Sequence, residues 1–280
     1  MVSRRLLPGL AVACLCGAVI AGCGSSGPSP QAAPPKSAAH TGEASKPPAQ
    51  ILADAATALR KAGSYRMQAK VTQLTRQRQH IRMSVEVFSA HTLSVSMTFN
   101  GLSFTLISVG NKAYMEAGQK FWDKETHNSA AGSLLAGRWF VGPTRSFGSV
   151  ASLAGEMSPS RLAGCLLKQH GHLSIAGYTT VDHRPAVVLH DAGQGAGNQR
   201  GTLAIATTGV PYPLQVTASG KPQPGAAKGP CGSSGSGPGS VGTVTFSGFG
   251  HLSRLRLPAH PINLKSLGGS GELGASPPTI

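Results

Sequence analysis

Residues 93–106 read Leu-Ser-Val-Ser-Met-Thr-Phe-Asn-Gly-Leu-Ser-Phe-Thr-Leu. Apolar side chains alternate with Ser and Thr on both sides of Asn100-Gly101, the pair that most readily supplies the two positive-φ positions of a type I′ turn. A two-residue loop sets Phe99 opposite Leu102, Met97 opposite Phe104 and Val95 opposite Leu106 on one face. Ser94, Ser96, Thr98, Ser103 and Thr105 take the other. The result is a one-sided sheet: its hydroxyl face meets water, and its apolar face needs a cover of helix, second sheet or ligand.

The same period of two continues in both directions. Upstream, Tyr65, Met67, Ala69 and Val71 alternate with polar residues, as do Ile81, Met83, Val85 and Val87. Before them Ile51, Leu52, Ala55, Leu59 and Ala62 share one helical face, with Pro47-Pro48 ahead and Gly63 behind, which predicts an amphipathic helix over 49–62. Downstream, a fifth strand over 111–116 leads into a helix-like middle that holds Phe121-Trp122, 130–135 and Trp139-Phe140-Val141. Two further short helices are predicted, one over 147–153 and one after Ser158-Pro159, an N-cap with proline at the first helical position. Strands return at 173–180, 186–190, 202–207, 214–218, 241–247 and 252–257. About eleven strands joined by short loops make an antiparallel meander more economical than βαβ units, so the fold class is α+β.

The N-terminus places the chain. Arg4 and Arg5 precede an apolar run over 6–20, too short to span a membrane as a mature helix and of signal-peptide length. Ile20-Ala21-Gly22-Cys23 then matches the bacterial lipobox, in which the Cys thiol is joined to diacylglycerol and becomes the new N-terminus. The reading is a signal peptide over 1–22, exported by the Sec or the twin-arginine route, followed by the lipidated Cys23 and a disordered Pro/Ser/Gly-rich tether over 23–48. Two or three acyl chains hold a protein stably on the extracytoplasmic face of the cell membrane without spanning it. The folded domain is expected over 49–266, interrupted by a mobile Gly/Pro-rich loop over 220–240 and followed by a disordered tail over 267–280.

Composition agrees with one domain plus linkers. In 280 residues, Gly (37) and Pro (20) are abundant and only 12% are charged, too few large side chains for two cores. The formal charge of +15 calls for an acidic partner. An exported chain without a recognition module excludes nucleic acid, which leaves anionic lipid headgroups or a cell-wall polymer as possible partners, or a solvated basic face. Of five Cys, two leave with the signal and Cys23 is lipidated; Cys165 and Cys231 remain, as a possible disulfide or as two separate thiols.

No enzyme signature emerges. Gly237-x-Gly239-x-x-Gly242 matches the dinucleotide fingerprint in letters, but a strand follows it where a helix is needed. The Gly-x-Ser-x-Gly elbow and a Ser-x-x-Lys near a helix start are missing. His170-Gly171-His172 offers two imidazoles without an evident third ligand, so no metal, cofactor or catalytic residue is assigned.

Several stretches carry a family likeness: 53–71 (ADAATALRKAGSYRMQAKV), 110–115 (GNKAYM) with Phe121-Trp122, 134–139 (LLAGRW), 201–216 (GTLAIATTGVPYPLQV) and 242–250 (GTVTFSGFG). With the order of lipobox, tether, helix and strands, the chain resembles the LolA/LolB-like lipoproteins of actinobacteria, the LppX/LprG class. The resemblance implies a strongly curved antiparallel half-barrel whose helices cover a concave apolar face, and carriage of a lipid or lipoprotein. It brings no catalytic residues. The candidate lining is Met83, Val85, Val95, Met97, Phe99, Leu102, Phe104 and Leu106, with Leu52 and Leu59 on the covering helix. The expected ligand is a lipid, a glycolipid or another hydrophobic molecule. The rival is a structural or interaction module with a packed core, contacting cell-wall polymer or a protein; the Gly/Pro-rich loop over 220–240 and small residues at Ala204, Ala206 and Ala218 would narrow or reshape a pocket.

Overall fold

The computed structural model describes residues 42–147, 157–168, 170–194, 198–224, 239–252 and 254–267. The signal peptide, Cys23, most of the tether, most of the 220–240 loop with Cys231, the tail, and most of the helix expected over 147–153 lie outside the described residues.

Twelve strands form one unclosed, curved sheet: β1 (Tyr65–Gln73), β2 (Gln79–Ser89), β3 (Thr92–Phe99), β4 (Leu102–Val109), β5 (Lys112–Ala117), β6 (Phe140–Pro143), β7 (Leu173–Val181), β8 (Arg184–Asp191), β9 (Arg200–Ala206), β10 (Pro213–Gly220), β11 (Ser240–Ser247) and β12 (Ile262–Asn263). The spatial order is β12-β6-β5-β4-β3-β2-β1-β11-β10-β9-β8-β7. Two meanders, β1 to β6 and β7 to β11, therefore run outward from a seam where β1 pairs antiparallel with β11. The hairpin register is as read: Phe99 faces Leu102, Met97 faces Phe104 and Val95 faces Leu106. Asn100 and Gly101 hold φ of 49° and 80°, the two left-handed positions of the type I′ turn.

Among the described residues there are four helices, α1 (Pro48–Ala62), α2 (Gln119–Thr126), α3 (Ser129–Leu135) and α4 (Pro159–Lys168); α1, α2 and α4 pack on the apolar face and α3 packs on α2. Helix α1 buries Ile51, Leu52, Ala55, Ala56, Ala58 and Leu59. It stops at Gly63, whose φ of 70° a side chain would disfavour. Ser158 Oγ accepts from Arg161 N at 3.4 Å ahead of α4, and Asn128 Oδ1 accepts from Ala130 N and Ala131 N at the start of α3.

The core has three parts. Leu59, Tyr65, Val85, Val95 and Phe246 form the centre, against Ala163 of α4. Under α2, Phe104, Phe121, Trp122 and Phe140 stand in a run of ring contacts at 6.0, 5.3 and 5.2 Å, the last two edge-on, with Met97, Leu106 and Met115 between. Under α1, Ile51 and Ala55 meet Val187, Leu189 and Ile205.

The structure corrects several expectations. Phe140–Pro143, read within a helix-like middle, is strand β6, and β12 joins it in parallel, so the sheet is not wholly antiparallel. No strand occupies 252–257 among the described residues, although Leu255 and Leu257 alternate with Arg254 and Arg256. Both edges of β11 are already taken by β1 and β10, so a segment leaving β11 finds no ladder beside it. Order also begins before Ala49. Gly42–Ser45 is a 3-10 turn that buries Ala44, and Lys46 bridges Glu43 (2.7 Å) and Asp54 (2.6 Å).

Candidate functional site

An apolar cavity of about 250 Å³ opens between α1, α4 and β7 to β10. Its apolar part is built by register. Leu189, Leu203 and Val216 are successive partners across β8, β9 and β10, and Leu52 of α1, Leu166 of α4 and Leu173 of β7 close over them. The row beyond, Asp191, Gly201 and Ala218, is small on β9 and β10, and the room left there is the cavity. A Cβ at Gly201 would fall 2.2 Å from the Thr217 carbonyl oxygen, so this close strand approach requires glycine.

One end of the cavity is polar. Asp191 Oδ1 accepts from Gly171 N and Gly193 N, both at 2.8 Å, which fixes the carboxylate at the mouth. His170 Nδ1 donates to the Gly171 carbonyl at 2.9 Å. Gln199 Nε2 donates to the Gly220 carbonyl and to Ser240 Oγ, and Asn198 is 7% exposed beside it. An apolar slot with a hydrogen-bonding rim at one end suits an amphiphile: the tail gains from leaving water and the head keeps partners.

Of the residues singled out in the sequence, Leu52 lines this cavity. Leu59, Val85 and Val95 are fully buried in the central cluster. Met97, Phe104 and Leu106 pack under α2, Met83 bridges the two clusters, Phe99 packs half-buried beside them and Leu102 is half-buried. Ala204 and Ala206 lie in the central core, while Ala218 lines the cavity. Leu166, Leu173, Leu189, Leu203 and Val216 were not anticipated as lining. The available signal was the apolar Leu189, Leu203 and Val216 beside the small Gly201 and Ala218, which becomes legible only once the strands are paired. Cys165 in α4 is disulfide-bonded, and Cys231 lies outside the described residues. Among the described residues, no three His, Cys, Asp or Glu side chains gather as metal ligands, and no helix is long and apolar enough to cross a membrane.

No family model and no curated protein matches the chain. Among solved structures it is similar to LprF from Mycobacterium bovis, at 13% identity and a TM-score of 0.45 over 76% of this chain and 97% of that one. The lipoprotein LppX from Mycobacterium tuberculosis gives 13% identity and 0.40 over 74% and 98%. A LolA superfamily protein from Nitrosomonas europaea gives 12% and 0.23 over 76% and 96%.

Proposed function

We infer that this chain is a non-enzymatic, membrane-anchored binding protein that holds the apolar end of a small amphiphile between α1, α4 and β7 to β10 on the outer side of the cell membrane. The observation that carries the reading is the roughly 250 Å³ cavity with leucines at one end and Asp191, Asn198 and His170 at the other. An apolar cavity of about 150 Å³ suffices for a benzene-sized guest, while drug-sized ligands take about 300 Å³ or more. The space therefore suits one short acyl chain; a two-chain lipid requires α1 and α4 to part. The lipobox at Cys23 supports the anchor, and acyl labelling lost on Cys23→Ala tests it.

The decisive experiment is native mass spectrometry of the purified chain titrated with decanoate, alongside Leu203→Trp, which fills the slot. Uptake by the natural chain and none by the variant supports binding at this place. A second reading, a structural or interaction module, draws on the complete burial of Leu59, Val85, Val95 and Leu106. It gains if no amphiphile co-purifies and none is taken up.

A further inference from the structure

The opposite face of the sheet carries a second concavity, a trough of about 460 Å³ across β1 to β5. Side-chain length makes it. On β3 and β4 every outward group in the trough is short: Ser96, Thr98, Ser103 and Thr105. The flanking strands raise longer walls, Gln68 and Lys70 on β1, Arg82 on β2 and Glu116 on β5. The apolar residues between them, Ala69, Met97, Phe104 and Ala117, are buried, and Met83 is half-buried.

Charge makes the trough selective. Lys70 lies directly opposite Arg82 in the β1–β2 ladder. Like charges at facing positions repel, so the pair costs stability unless an anion sits between them. Two rows along the same ladder, Arg66 faces Glu86 and the two form an ion pair at 2.6 Å. Among the described residues no ion pair joins Lys70 or Arg82 to a carboxylate. Glu116 is three strands from Arg82, about 14 Å at ordinary strand spacing, too far to neutralise it. The trough therefore has a cationic wall, a hydroxyl floor and an acceptor on its far wall.

We propose that this trough binds a sugar phosphate, with the phosphate dianion between Lys70 and Arg82 and the sugar hydroxyls over Ser96, Thr98, Ser103 and Thr105. Two cations side by side match a divalent phosphate ester, and the guanidinium of Arg82 can engage two of its oxygens at once. Donor and acceptor hydroxyls on the floor match those of a sugar, and the Glu116 carboxylate accepts from a hydroxyl at the other end. The site is separate from the apolar cavity, on the other face of the sheet, and stands whether or not that cavity binds an amphiphile.

The test is titration of the full chain with glucose 6-phosphate, glucose, inorganic phosphate and phosphatidylglycerol vesicles, followed by calorimetry and amide chemical shifts. Saturable binding of glucose 6-phosphate at about 1 mM or tighter is expected, with shifts on β1 to β5. Lys70→Gln and Arg82→Gln should each weaken it about tenfold, and Arg76→Gln, outside the trough, should leave it unchanged. Thr98→Val should weaken glucose 6-phosphate and spare inorganic phosphate. Added salt should weaken all phosphate binding. The proposal falls if glucose 6-phosphate binds ten times more weakly than expected, if inorganic phosphate binds as tightly, if Arg76→Gln costs as much as Arg82→Gln, or if vesicles bind where glucose 6-phosphate does not.

Discussion

Replacing Leu106 by alanine tests where this molecule keeps its free volume. Leu106 is fully buried under α2, and β4 pairs it with Met115 on one side and Val95 on the other. Truncation there leaves a hole that ring-against-ring packing of Phe104, Phe121 and Trp122 resists filling, so the cost should be about 3 kcal/mol. At about 2–4 °C per kcal/mol for a domain of this size, the thermal midpoint should drop by about 6–12 °C. Leu203 is only half-buried and already borders open space, so Leu203→Ala forfeits transfer energy alone, about 1–1.5 kcal/mol. Calorimetry on the two variants, with and without decanoate, gives a second readout. A ligand at a hundred times its Kd adds about 2.7 kcal/mol to the natural chain. Leu106→Ala should keep that increment and Leu203→Ala should lose much of it. If Leu106→Ala costs no more than Leu203→Ala, or if it alone abolishes the increment, the ligand space lies beneath the Asn100-Gly101 hairpin and the assignment to β7 to β10 is wrong.

Three further outcomes are expected. Non-reducing peptide mapping should join Cys165 to Cys231; a bridge closing a loop of that length contributes about 4 kcal/mol in the chain-entropy account, so reductant should lower the thermal midpoint markedly, and an unchanged midpoint would contradict it. The hydrogen bond from Lys46 holds the Asp54 carboxyl below its ordinary 3.8, and the Asp54 and Glu43 carboxylates hold the Lys46 ammonium above its ordinary 10.5. The Asp54 contribution is complete above 3.8 and fades as pH falls through its lowered value, so Asp54→Asn should flatten the acid limb of a stability-against-pH curve. Burial pushes the Tyr65 phenol well above its ordinary 10.0, keeping it a donor to the Met157 carbonyl, and Tyr65→Phe should cost about 1–2 kcal/mol by denaturant titration.

Local grammar made the hairpin readable to the residue, because Asn100-Gly101 admits one loop length and the alternation beside it admits one face. The same grammar failed at Phe140–Pro143. Four residues containing Gly and Pro are too short for period to separate strand from buried helix, and only pairing with β5 made them a strand. It failed in the other direction at 252–257, where Leu255 and Leu257 alternate with arginines but both sides of the preceding strand β11 are already paired. The cavity was hidden for a different reason. Leu203 and Val216 look like core in any strand; what leaves space above them is the docking of α4 and the coincidence of Gly201 with Ala218 across two strands, which are facts of tertiary register.

The seam between β1 and β11 joins residues 66–73 to residues 240–247. Each half-sheet can assemble from neighbours in the chain, but zipping the halves together must wait for one of the final strands to be made, so loop-closure entropy is settled late. A polypeptide emerging N-terminus first leaves the inner edge of β1 unzipped for most of its synthesis. That interval is when a chaperone has the most to shield, and when threading through a narrow pore meets the least resistance.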